Sequence, residues 1–306
     1  MPTAAERAET AAQRAAAAAG IEIREVQEIP DLVEVRGVFD RIWNADPTNP
    51  AATVELLRAY AHTGQYVVTA VDILDPARPV IAASMGFLCA PIGRALHSNV
   101  TGVLPAGRGR SLGFALKVHQ RAWAMRHGLD LVSWTFDPLI RRNAWFNLAK
   151  LGARASGYLP DFYGQMRDAV NAGDASDRLY LTWPVYDETV AAACEGRSAS
   201  IDVEPLLADG TPVLLDVDPD GRTPRPHAQS SGRSGSQSSS AGLALAQVPP
   251  DIESVRTEDR DLARRWRFAL REVLAGTLTT GGRIEGIGRD GWYVVRRGAE
   301  SEEVEP

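Results

Sequence analysis

Residues 103–117, VLPAGRGRSLGFALK, decide how the rest of the chain is read. An apolar run stops at Pro105, two Arg-Gly pairs follow, and from Ser111 the apolar spacing becomes helical. Strand, tight loop and helix start, in that order, make a natural anion site. The first amides of a helix lack intrahelical acceptors, and the helix dipole adds positive potential. Gly109 and Gly113 remove side chains where an anion must approach, while Arg108 and Arg110 add charge. Three readings compete with this one. A Walker phosphate loop needs Gly-Lys-Ser/Thr, which the chain lacks. A dinucleotide fingerprint needs glycines spaced G-x-G-x-x-G, and those at 107, 109 and 113 are not. The third is a strand-to-helix turn that holds nothing.

Working outward, IEIREVQ (21–27) alternates as a strand, and PDLVEVRGVFDRIW (30–43) and TVELLRAYAHTG (53–64) have helical spacing. YVVTAVDIL (66–74) and PVIAASMGFLCA (79–90) read as antiparallel strands across a turn, and ALHSNVTGVLP (95–105) as a long strand. Then come a helix over 111–127 ended by Gly128, a strand LDLVSWTF (129–136), and a helix over 139–151 ended by Gly152. Two more strands, SGYLPDFYG (156–164) and DRLYLTWPV (177–185), complete a β-α-α-β-β-β-α-β-α-β-β order.

The remaining segments divide by composition. Residues 1–20 are alanine-rich without an apolar face, which predicts a frayed, flexible leader. Residues 21–185 form the main α/β domain, and 186–218 an extension whose DVEPLLADGTPVLLDVD suggests a hairpin. Residues 219–247 are Ser/Gly/Pro-rich and read as a disordered linker or loop. Residues 248–298 combine a strand pair with a helix that places Leu262, Trp266, Ala269, Leu270, Val273 and Leu274 on one face, a unit small enough to pack on the main domain. Residues 299–306 are a solvated acidic tail.

With 44% hydrophobic and 24% charged residues, the 306-residue chain reads as soluble and globular. A net charge of −6 argues against a nucleic-acid binder. No apolar run approaches a membrane span and the N-terminus lacks a signal-peptide pattern, so neither a membrane partner nor secretion is expected, and a cytoplasmic location is. Cys89 and Cys194 have no metal-ligand or disulfide spacing, and no metal is expected. All but two of the 33 basic residues, Lys117 and Lys150, are arginines, a bias that reads as compositional.

The spacing V-x-P-x-x-R-G-x-x-L-G-x-A-L (103–116), followed after a helix and a strand by N-A-x-x-x-x-x-K-L-G-A (143–153), resembles the GNAT superfamily of CoA-dependent N-acyltransferases. The resemblance is strongest over 96–185, and within it the chain looks like a subfamily resembling amino-acid N-succinyltransferases. It implies an α/β (α+β) fold: a mixed, mostly antiparallel central sheet with flanking helices and a splayed parallel strand pair, into whose gap acetyl-CoA or another acyl-CoA such as succinyl-CoA enters. Val103 and Leu104 would then meet the acyl carbonyl and pantetheine. Arg108, Gly109, Arg110, Ser111, Leu112 and Gly113 would cradle the pyrophosphate, and Asn143 would contact the cofactor arm. Two positions depart from the superfamily pattern. Ser111 replaces a glycine, and Leu148 stands where many members carry a tyrosine acid.

Acyl transfer to an amine needs a base, an oxyanion donor and a proton for the thiolate. His97 is the titrating candidate for the base, against a structural histidine. Asp137 can orient the amine or cap the next helix. Tyr158 and Tyr163 can supply the missing proton or pack at a sheet edge. Arg142 or Arg178 can hold a carboxylate, and Trp134 can wall the cleft. Two functions follow. One is an N-acyltransferase acting on a small-molecule amine or amino acid; the other is an acyl-CoA-binding or protein-interaction module without turnover. Both leave room for a homo-oligomer.

Overall fold

The computed structural model describes residues 2–43, 50–164, 175–227 and 242–298. These residues fall into two compact units. The first holds the described residues of 1–134 and 182–197, and the second those of 135–167, 171–181 and 198–306.

The first unit opens with α1 (Ala4–Ala19) and β1 (Ile21–Glu25), followed by α2 (Ile29–Trp43), α3 (Val54–His62), β2 (Tyr66–Asp72), β3 (Val80–Leu88) and β4 (Ala95–Val103). A short 3-10 turn (Pro105–Gly107) leads into α4 (Leu112–Arg126) and then β5 (Leu131–Phe136), whose last two residues fall in the second unit. Strands β1 to β4 pair antiparallel in sequence order, and β4 pairs β5 in parallel. Leu32, Val35, Val38 and Phe39 of α2 recur at helical spacing and pack with Leu57 of α3 against Val67, Ala83 and Met85. Gly102 lets α2 come close to β4, since a Cβ there would lie 2.4 Å from Ile42 Cδ1.

The frayed leader expected from composition is a capped helix instead. Thr3 Oγ1 accepts from the Glu6 amide at 3.2 Å while the Thr3 amide donates to Glu6 at 2.6 Å, and Gly20 closes the far end in the left-handed conformation. Ala8, Ala11, Ala12 and Ala19 are buried, and α1 packs on α4. A stripe of methyl groups is too weakly apolar to register as a face, yet it permits close helix approach.

After β5 come α5 (Arg141–Ala144), a π-helical turn (Trp145–Lys150), β6 (Arg154–Leu159) and β7 (Arg178–Pro184). The single helix expected over 139–151 is thus short and then widened. The larger sheet runs β1-β2-β3-β4-β5-β7-β6, so the mixed, mostly antiparallel architecture expected from the resemblance is the one observed. Beyond it lie α6 (Glu188–Cys194), α7 (Glu204–Ala208), β8 (Val213–Val217) and β9 (Pro224–Pro226). The rest is β10 (Leu243–Gln247), α8 (Ile252–Glu258), α9 (Arg260–Thr279), β11 (Arg283–Ile287) and β12 (Trp292–Arg296).

Three segment boundaries change. The hairpin expected within 202–218 is a helix, α7, followed by one strand, β8, which pairs antiparallel with β9 and parallel with β10. Both flanks of the 219–247 segment are strands of the five-stranded sheet β11-β12-β10-β8-β9, while its residues 228–241 lie outside those described. The 135–164 stretch groups with the C-terminal elements rather than with residues 21–134. The acidic tail, 299–306, also lies outside the described residues. The expected face of α9 is buried at Leu262, Trp266, Ala269, Leu270 and Leu274.

Candidate active site

The central feature of the first unit is the parting of β4 and β5. Ala95, Leu96 and His97 pair with Leu131, Val132 and Ser133, and there the register ends. Beyond it β4 bulges. Gly86 of β3 faces Ser98 and Met85 faces Val100, so Asn99 is an extra residue that bends β4. The Leu104 amide bonds Ile81 O at 2.9 Å, and Val103 stands opposite Ala82. In an antiparallel ladder amides alternate between edges, so those of Thr101 and Val103 point to the β5 side. Of the two residues expected to meet the acyl carbonyl and pantetheine, Val103 therefore turns its amide to that side, while the Leu104 amide is bonded within the sheet.

At the end of β4 the chain tightens. Gly107 is buried, and a Cβ there would stand 2.7 Å from Leu112 Cδ2 and 3.0 Å from Val103 Cγ1. Gly109 (φ 80°) and Ser111 (φ 62°) both adopt the left-handed conformation. Ser111 explains the glycine of the superfamily pattern: the backbone there takes a turn that L side chains enter at a cost of about 1–2 kcal/mol. As the N-cap of α4, Ser111 makes no side-chain cap bond, so the helix start carries unquenched donor potential. Arg108 and Gly109 are exposed, Gly113 is half-buried, and Leu112 is buried as a packing residue. Arg110 turns away from the loop. Its guanidinium bonds Asp72 and the Ala19 and Gly20 carbonyls, so its charge is already engaged within the first unit.

Two polar groups flank the parting from opposite faces of the sheet. His97 Nδ1 and Ser133 Oγ are hydrogen-bonded at 3.2 Å, with the imidazole beside Phe87. Burial, and then the charge of Lys117, lowers the His97 pKa, which keeps the ring neutral and able to accept a proton at pH 7. On the α4 face, Lys117 donates to Ser98 Oγ at 2.9 Å and to Gln120 Oε1 at 3.1 Å, and its Nζ lies 3.7 Å from the centre of the Trp134 ring. Trp134 in turn meets Trp183 edge-on at 5.7 Å. Burial pushes the Lys117 ammonium down to about 7. Sequence reading missed Lys117; its one signal was being a lysine in an arginine-dominated chain.

The second unit holds the remaining candidates. Asp137 is clamped by Arg267, at 2.7 and 2.8 Å, and by Arg256 at 2.5 Å, and it caps the Leu139 amide at 3.0 Å. Burial opposes ionisation, but the two guanidinium groups outweigh it and hold the carboxyl well below the usual range. Tyr158 donates to Asp177 at 2.7 Å, and Arg271 closes on the same carboxylate. Burial, then Asp177, pushes the Tyr158 phenol well above its ordinary value. Tyr163 is exposed, with its hydroxyl 3.2 Å from Thr135 Oγ1 and its ring 5.2 Å from Arg178. Arg178 is buried and donates to the Asp177 carbonyl at 2.8 Å. Asn143 lies in the first turn of α5, its amide on Ile140 O at 2.9 Å. Arg142 pairs with Glu253 beside a cavity of about 460 Å³ that Arg141, Trp145, Asp251 and Arg289 also line. The partners Arg256, Arg267 and Arg271 all come from α8 and α9, far along the chain, where sequence spacing carries no hint of them.

No protein-family model matches this sequence, and no curated protein does. Among solved structures, the chain is similar to the ribosomal-protein-S5-alanine acetyltransferase from Vibrio fischeri, with 16% identity and a TM-score of 0.43 over 55% of this chain and 94% of that one. It is similar to the acetyltransferase of the GNAT family from Streptococcus pneumoniae, with 15% identity and a TM-score of 0.42 over 53% and 98%. It is also similar to the ribosomal-protein-S18-alanine N-acetyltransferase from Escherichia coli, with 13% identity and a TM-score of 0.41 over 54% and 94%. These likenesses span about half of the present chain.

Proposed function

We propose that the chain is a cytoplasmic CoA-dependent N-acyltransferase that moves an acetyl or succinyl group to the amino group of an amino acid or related small amine. One observation carries this reading: two parallel strands part after His97 and Ser133, and β4 then runs on into a loop and a helix start with no side-chain cap. The donor set fits an acyl-CoA. Outward amides of Thr101 and Val103 suit the polar arm of a thioester inserted between the strands. The amides of residues 108–113, with the Arg108 charge, suit a pyrophosphate. Asn143 is assigned to the cofactor arm.

In the reaction, the acceptor amine forms a bond to the thioester carbon, the C–S bond breaks, and the proton lost by the amine goes to neutral His97. Arg142 and Arg178 are assigned to the acceptor's carboxylate, Trp134 to the cleft wall, and Tyr163 to the acceptor side. Asp137 and Tyr158 contribute by holding structure, since their polar atoms are engaged by arginines and by Asp177.

The test is thiol release from acetyl-CoA and from succinyl-CoA across a panel of amino acids, alongside calorimetric CoA binding. Release with at least one amine is expected. Tight CoA binding without release for any amine favours the non-catalytic module. Arg108→Ala combined with Gly113→Val should abolish CoA binding in a folded protein, and unchanged binding removes the loop from the reading.

A further inference from the structure

Ser98 and Trp134 are each the first residue beyond the last paired couple of β4 and β5, and both touch the amine of Lys117. That amine therefore sits at the vertex from which the two strands diverge. Its partners are all neutral: a hydroxyl, an amide oxygen and an aromatic face. Among the described residues no carboxylate pairs with Lys117. A buried cation without a counterion costs stability, so its presence calls for a function that offsets the cost to the protein. Beside it, Gln120 is almost fully buried and its Nε2 has no acceptor among the described residues. A buried donor of that kind calls for a reason, and a role in the chemistry beside it is one.

Residue type sharpens the point. Of 33 basic residues only two are lysines, and an arginine at 117 could supply charge and hydrogen bonds but could not release a proton near neutral pH. A lysine amine buried to this degree can. Ser98, by accepting from Lys117, keeps its own O–H as a donor, which allows a two-step proton path from α4 to the gap between the strands.

On the reading of the preceding section, which this rests on, we infer that Lys117 is the proton source for the thiolate that leaves during acyl transfer, acting through the Ser98 hydroxyl. As the C–S bond breaks, its electron pair stays on sulfur. Sulfur takes the Ser98 proton, and Ser98 takes one from Lys117 Nζ. The proton that the acceptor amine gives to His97 returns to Lys117 by way of solvent, so the cycle closes with no other reactant. Lys117 is in these terms a positioning residue, one step removed from the reacting atoms. The groups that touch it are Ser98 of β4, Trp134 of β5 and Gln120 of its own helix, none of which titrates near neutrality, while His97 on the other face of the sheet feels its charge and is lowered by it. Burial sets Lys117 near pH 7, close to the value at which a donor works best.

The experiment measures kcat and KM against pH for the full chain, with acetyl-CoA and the amine found in the panel. The wild type should lose kcat as pH rises through the Lys117 titration. Lys117→Arg and Lys117→Met should each lower kcat on the order of 10²-fold with little change in the KM for acetyl-CoA, and the alkaline fall near neutrality should disappear. Ser98→Ala should lower kcat in the same direction by a smaller factor. Should Lys117→Met fail to fold, Lys117→Arg and Ser98→Ala carry the test. Full kcat and an unchanged alkaline limb in Lys117→Arg would make Lys117 a plain tie between α4 and β4 and overturn the inference. Failure of the wild type to bind CoA overturns the acyltransferase reading itself, and calorimetry separates that result from the former.

Discussion

Arg110 holds Asp72 through both ends of its guanidinium, Nη1 to Oδ2 at 2.6 Å and Nη2 to Oδ1 at 2.8 Å, and the same group spans the Ala19 and Gly20 carbonyls. The loop after β4 is thereby moored to the end of β2 and to the joint between α1 and β1. Hydrogen bonds from Arg110 lower the Asp72 carboxyl to about 2. A depressed carboxylate contributes its stabilisation fully above its unfolded value of 3.8 and loses it as pH falls towards 2. Arg110→Ala should lower the melting temperature at pH 7, and the difference from wild type should shrink between pH 4 and 2. A difference that stays constant across that window would show that Asp72 is not the partner that matters.

Ser111 offers a case where two small effects oppose. Replacing it with glycine removes a left-handed strain of about 1–2 kcal/mol and adds about 0.5–1 kcal/mol of backbone entropy cost. The net expectation is a gain of about 0.5 kcal/mol in urea unfolding, whereas Ser111→Val should lose more than that. If Ser111→Gly destabilises the protein, the hydroxyl holds the loop in some other way.

Asp137 tests the division between structure and chemistry. Removing one member of a buried, doubly paired cluster strands the others, which costs about 3–5 kcal/mol. Asp137→Ala should lower stability by that order, because Arg267 and Arg256 would keep their charge without its counterion. An Asp137→Ala protein of normal stability but without activity would return this carboxylate to the reaction.

Lys117 should also be visible in stability alone. Its ordinary value of 10.5 falls to about 7 on folding, so the unfolded chain binds the extra proton between those limits. Raising pH through that window therefore stabilises the native state, by about 1.4 kcal/mol per unit at most. Lys117→Met lacks this slope, and unfolding free energies of the two proteins compared from pH 7 to 10 should converge or cross in favour of the wild type. Parallel curves would mean that the amine is solvated.

Much of the first unit was legible because its elements are local. The α2 and α3 stripes, the β2/β3 turn and the loop from Pro105 to Ser111 each carry their signal within a dozen residues. What escaped was non-local. The β8 strand finds β10 across the Ser-rich segment, so no local pattern could separate it from a hairpin. Asp137 looked like a site carboxylate because its two arginines lie about 120 residues or more downstream. Lys117 was hidden by the opposite problem. On a helix it falls in a buried stripe where its type looked incidental, and only the location of Ser98 and Trp134 gives it a place.

The N-terminal helix carries an evolutionary consequence. A run of alanines invites the view that it drifts freely under mutation, with composition in place of information. Ala8 is fully buried, and the stripe it shares with Ala11 and Ala12 sets how near α4 can lie. Any larger side chain there forces two helices apart, at about 1–3 kcal/mol for overpacking. Part of a stretch that looks like filler is thus restricted in size, at the buried positions 8, 11, 12 and 19, while Ala17 and Ala18 stay exposed and carry no such limit.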